Sequence, residues 1–153
     1  MILISVLIFD INTDASFTKG MPKSGDIALV SQSAAICVAM LEYAKTRNVG
    51  FSKVFSTGNK VDLNENDLLT IFANDDATKV ILMYIEDLVD GRKFIEIASR
   101  ITGDSEKRRP ILALKVGESA IGAKSITSHT GALAGSQEAY KAIFALLYKC
   151  VIY

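Results

Sequence analysis

The chain has 153 residues, half of them apolar and 22% charged, which suits one domain able to bury a proper core. Its 17 basic residues cancel its 17 acidic ones, leaving no electrostatic footprint for nucleic acid or an anionic membrane surface. The two cysteines, Cys37 and Cys150, form neither a CxxC pair nor a Cys/His cluster, which argues against zinc and dithiol chemistry and fits a reducing cytoplasm.

Met1 to Phe9 is almost wholly apolar. It lacks the basic flank and small-residue cleavage site of a leader and is too short to span a bilayer, so a buried strand is expected. Asp26 to Val30 reads as a strand covered on both faces. Ser31-Gln32-Ser33 then opens a helix carrying Ala35, Val38, Ala39, Leu41 and Ala44, which Asn48-Val49-Gly50 stops. Val54-Phe55-Ser56 is a short strand leading into the loop Thr57-Gly58-Asn59. Asn64 caps a helix through Leu68, Leu69 and Phe72 that ends at Asn74-Asp75-Asp76. Lys79 to Ile85 is a strand with Glu86 at its carboxyl end, and Gly91 to Ile101 a helix with Phe94, Ile97, Ala98 and Ile101 on one face. Pro110 to Val116 completes the predicted strands, and Ala132 to Leu147 the helices.

Strands alternating with helices predict βαβ units, a mainly parallel sheet and a doubly wound, flavodoxin-like α/β/α fold as one domain over 1–153. Ligands of such sheets bind outside the carboxyl ends of the strands, near the point where strand order reverses. Three polar sites fall there: Ser31-Gln32-Ser33, Glu86, and the loop leading to His129.

His129 is the single histidine, set in Ser128-His129-Thr130-Gly131-Ala132-Leu133-Ala134-Gly135. A neutral imidazole nitrogen can attack phosphorus, and the glycines leave room for a tetrahedral group beside it. A structural hydrogen-bonder in a Gly/Ala-rich turn is the plainer alternative. Ser31-Gln32-Ser33, between a buried strand and a helix N-terminus, is a natural anion site as well as a natural N-cap. It lacks the spacing of a nucleotide-triphosphate loop. Glu86 is placed to accept from one imidazole nitrogen and leave the other free, or to be a solvated strand-end carboxylate. Lys115 and Lys124 could neutralise phosphate charge, and Gly58 and Asn59, with Asp62 after them, resemble a ligand-contacting loop; both are weaker signals.

The ordered set SQS, STGNKVD, YIEDLVDGRKF and SHTGALAG closely resembles the middle domain of the nucleoside-diphosphate-forming acyl-CoA synthetases. The likeness is to the ADP-forming acetyl-CoA synthetase type common in archaea, with succinyl-CoA synthetase a more distant relative, and it runs from about Ala15 to Phe144. The resemblance implies that His129 is transiently phosphorylated and that Glu86 orients it. It also implies that the helix after Ser31-Gln32-Ser33 holds the phosphate, with Ala34, Thr130 and Gly131 in its surroundings. An acyl-CoA and phosphate would give acyl phosphate and CoA, and the phosphoryl group would pass through histidine to ADP. Members read SQSG where this chain has Ala34, which would weaken the phosphate site if that position needs positive φ or close backbone contact. CoA, ATP or ADP and Mg²⁺ are expected in the complete enzyme, with none bound by this domain alone. A CoA-binding domain and an ATP-grasp unit are expected as partners, and a homo-oligomer. A catalytically idle interaction module is the rival expectation. An FMN-binding flavodoxin fits poorly, since the chain has no tryptophan and a short loop.

Overall fold

The computed structural model describes residues 5–8, 13–15, 22–58, 60, 63–104, 106–116 and 150–152. The elements run β1 (Ser5–Ile8), β2 (Thr13–Ala15), β3 (Ser24–Ser31), α1 (Ala34–Thr46), β4 (Phe51–Ser56), α2 (Glu65–Ala73), β5 (Val80–Ile85), α3 (Gly91–Gly103), β6 (Ile111–Lys115) and β7 (Cys150–Ile152). They form one seven-stranded sheet in the order β2-β1-β4-β3-β5-β6-β7. From β4 to β7 all neighbours are parallel. β1 lies antiparallel on β4 and pairs antiparallel with β2. The order reverses at β3, whose two neighbours are β4 and β5, so the switch point lies between β3 and β5.

Alternation along the strands sends side chains to two helical layers. Ala28, Val30, Ile81, Met83 and Ile85 pack with Leu68, Phe72, Phe94 and Ile101 of α2 and α3. Leu29 and Val54, with Phe51, pack with Cys37, Leu41 and Ala44 of α1 on the other face. Three layers result, as the α/β alternation predicts. Each fully buried large apolar side chain contributes roughly 1.5–3 kcal/mol to holding them together.

The helix starts follow from their caps. Ser33 accepts from the Ile36 amide, and Asp90 accepts from the Arg92 and Lys93 amides. Asn64 and Asp67 exchange bonds with each other's backbone amides in a capping box. Asn48 takes φ 54° after α1, the left-handed conformation asparagine tolerates.

At the amino ends of the strands, Arg109 is 5% exposed. Its guanidinium donates to the carbonyls of Thr78, Ala73, Lys107 and Asp75. Lys53 pairs with Asp75 at 2.7 Å. Arg109, Lys53 and Asp75 thus tie the loops at this end of the sheet, and the carboxyl end carries the candidate site.

β2 and β7 were not expected from the pattern; each has three residues, too few for alternation to declare itself. The predicted helix Ala132–Leu147 lies outside the described residues. So do His129, Lys124, Thr130, Gly131, Asn59 and Asp62. Among the described residues no helix is long and apolar enough to cross a membrane.

Candidate active site

The turn after β3 is fixed by its own side chains. Ser31 Oγ donates to the Ser33 carbonyl at 2.7 Å and accepts from the Ser33 amide at 3.2 Å. Ser33 Oγ accepts from the Ile36 amide at 3.4 Å. Of the first-turn amides of α1, those of Ala34 and Ala35 have no acceptor among the described residues. They stand at the positive end of the helix, where an anion is favoured. Ala34 is the first residue of the helix. It is not among the positive-φ positions, so alanine is accommodated there without backbone strain.

Gln32 reaches across the switch point. It is 7% exposed, and its side-chain Oε1 accepts from the amides of Glu86 at 2.7 Å and Asp87 at 3.0 Å. Its Nε2 donates to the Asp87 carbonyl at 2.9 Å, and its backbone amide donates to the Tyr84 carbonyl at 3.1 Å. The predicted phosphate turn and the predicted carboxylate are therefore neighbours tied by one side chain. Burial, then the Glu86 charge, pushes the Tyr84 phenol above its ordinary value.

Three further residues hold the same β5 loop. Lys60, at φ 54°, pairs with the Asp87 carboxylate, donates to its carbonyl at 3.2 Å, and lies 3.4 Å from Glu65. Glu65, 1% exposed, accepts from the Val89 amide at 2.6 Å. Asn66 donates to the Asp90 carbonyl at 3.1 Å. Gly58 takes φ 50°, turning the chain after β4 so that Lys60 can reach. Among the described residues the buried Ser56 and Thr57 hydroxyls and Asn66 Oδ1 have no hydrogen-bond partner.

The structure thus brings Ser31, Gln32, Ser33, Ala34 and Glu86 to one edge, with Gly58 in the next loop. β6 ends there at Lys115, and the Val116 amide donates to the Ile85 carbonyl at 3.0 Å. Sequence reasoning missed the loop-holding roles of Lys60, Glu65 and Asn66. The only available signal was polar residues crowded at the start of a helix otherwise destined for the core. Among the described residues no three His, Cys, Asp or Glu side chains gather to hold a metal ion.

The sheet order thus reverses beside an anion-ready helix start, with Glu86 on a loop whose backbone Gln32 clamps. A family profile described as "Succinyl-CoA ligase like flavodoxin domain" matches residues 24–147, and the chain belongs to that family. It is 48% identical over 135 residues to an ADP-forming acetate–CoA ligase of Archaeoglobus fulgidus, covering 88% of this chain and 19% of that protein. It is 50% identical over 130 residues to an ADP-forming 4-hydroxybutyrate–CoA ligase of Nitrosopumilus maritimus, covering 85% and 18%. The fold matches the acetyl-coenzyme A synthetase 1 of Ca. Korarchaeum cryptofilum, solved with phosphate and ADP. That match has TM-score 0.87 and 36% identity, over 97% of this chain and 31% of that one. The chain spans about a fifth of the length of the curated relatives it matches.

Proposed function

We propose that this chain is the phosphohistidine domain of an NDP-forming acyl-CoA synthetase, acting with partner units in the cytoplasm. The overall reaction is acyl-CoA + ADP + phosphate ⇌ acid + ATP + CoA. In this domain's share, an imidazole nitrogen of His129 attacks the phosphorus of an acyl phosphate. The phosphorus–oxygen bond to the acyl group breaks and the acid leaves as its carboxylate. Phosphohistidine then gives the phosphoryl group to ADP. Glu86 accepts from the other ring nitrogen, fixing the tautomer that leaves the nucleophile free. The Ala34 and Ala35 amides and the α1 dipole stabilise charge on the transferred group. A CoA-binding domain and an ATP-grasp unit supply the acyl phosphate and the nucleotide with its Mg²⁺, and the assembly is a homo-oligomer of such units.

The observation that carries this reading is the junction of an anion-ready helix start with Glu86 at the switch point, in a chain of this family. The test is phosphorylation of the chain by acetyl phosphate or by ³²P-ATP, with and without an ATP-grasp partner subunit. A base-stable, acid-labile label on wild type, lost in His129→Ala, is expected. No label under any partner condition sinks the proposal and leaves a binding module.

A further inference from the structure

We propose that Gln32 is the positioning residue for the Glu86 carboxylate, an inference that rests on the reading of Glu86 as the acid that orients His129. A side chain points where its Cα–Cβ bond points, and that bond is set by the two peptide planes on either side. For Glu86 those planes carry the Glu86 amide and the Asp87 amide. Both donate to the single oxygen Oε1 of Gln32, at 2.7 and 3.0 Å. The Nε2 of the same side chain returns a bond to the Asp87 carbonyl at 2.9 Å, which fixes the next peptide plane as well. Lys60 and Glu65 hold the loop farther along, at Asp87 and Val89; the Gln32 clamp acts directly on the planes that aim Glu86.

Glutamine is the side chain this geometry calls for. It offers one oxygen with two lone pairs for the two amides and an N–H for the carbonyl, at a reach asparagine lacks by one methylene. Its amide is buried and engaged on the β5 loop, so it aims the acid while the α1 amides meet the anion. Because Gln32 also sits in the Ser31–Ser33 turn, one residue links the place where phosphate would rest to the carboxylate that orients the nucleophile.

Two variants of the full chain test this. Gln32→Met keeps length and removes all three side-chain bonds. Gln32→Glu keeps an acceptor for both amides but lacks the donor until its carboxyl is protonated, when it reproduces the amide pattern. That carboxyl would face Glu86, Asp87 and Tyr84 of β5 and its loop, and Lys60 of the β4 loop. Hydrogen exchange of the chain alone, and the rate of His129 labelling by ³²P-ATP·Mg²⁺ with an ATP-grasp partner subunit, are measured across pH.

In Gln32→Met the Glu86 and Asp87 amides should exchange at least about tenfold faster, the worth of one hydrogen bond, with Leu41 and Leu82 unchanged. Labelling should slow roughly tenfold to a hundredfold, as for a misplaced catalytic group. Gln32→Glu should recover relative to wild type as pH falls, while Gln32→Met does not. If wild type labels and both variants match its rate and pH profile, the role of Gln32 alone is overturned. A slow Gln32→Glu with no recovery at low pH also overturns it, since the defect is then general. An unlabelled wild type overturns the phosphohistidine reading and this inference together.

Discussion

Single residues at the two ends of the sheet behave differently under titration. Cys37 is 4% exposed, and burial pushes its thiol up to about 11. Relative to an ordinary thiol this lowers the reactive thiolate about a hundredfold at pH 8. Iodoacetamide should therefore modify Cys37 in the native chain at least that much more slowly than in guanidinium, as read by peptide mapping. Asp75 is opposite in sign. Burial raises its carboxyl, but the Lys53 ion pair and the Thr78 hydroxyl outweigh it, and the folded value lies below the ordinary one. A depressed folded value contributes stability above the unfolded pKa of about 3.9 and loses it as pH falls through the folded value. Asp75→Asn should cost on the order of 1 kcal/mol at pH 7, with the gap to wild type closing below about pH 4 in urea titrations. A gap constant in pH would count against the ion pair. At this scale the serine cap at position 33 was legible, because the cap and the amides it serves lie within one turn. The aim of Gln32 was not: its partners are 54 and 55 residues away, and no local pattern encodes them.

Elements were legible wherever a period or a cap declares itself. α2 and α3 begin where Asn64 and Asp90 put them, and β5 starts one residue later than its pattern. β3 begins two residues earlier than expected, at Ser24, because pairing with Phe51 extends it through polar residues. β7 was hidden because its three residues, paired in parallel with β6, are too few to show a period. Asn64→Ala removes half of the capping box and should cost about 1 kcal/mol in thermal or urea unfolding. A close backbone approach gives a larger expectation. A Cβ at Gly25 would lie 2.5 Å from the Gly50 carbonyl carbon, and one at Gly50 would strike the Ser24 carbonyl oxygen. Those are main-chain atoms that no rotamer change can move. Gly50→Ala should destabilise by about 1–3 kcal/mol, whereas Gly103→Ala, with open space around it, should not.

At the scale of the whole molecule, the three-layer class and the carboxyl-edge location of the site were readable from the alternation of elements. The strand order was not, since it is decided by which edges find partners across long separations. Stability depends on the larger of the two cores. Phe72 is fully buried there and its ring lies 5.8 Å from that of Phe55. Phe72→Ala should cost about 3–5 kcal/mol, a large share of a domain's total, and lower the melting temperature without altering the sheet's spectrum in the folded baseline. The sheet order also has a consequence for the edge that carries Glu86. β1 runs against its neighbour, so Ser5 stands beside Ser56 at the carboxyl edge. β7 runs with its neighbour, and its last residue, Ile152, stands beside Ala113, two residues short of the end of β6. Five strand spacings separate β1 from β7, roughly 24 Å at about 4.8 Å each. The rim that carries Glu86 is thus bracketed by two strands of opposite sense, one entering the sheet there and one climbing toward it.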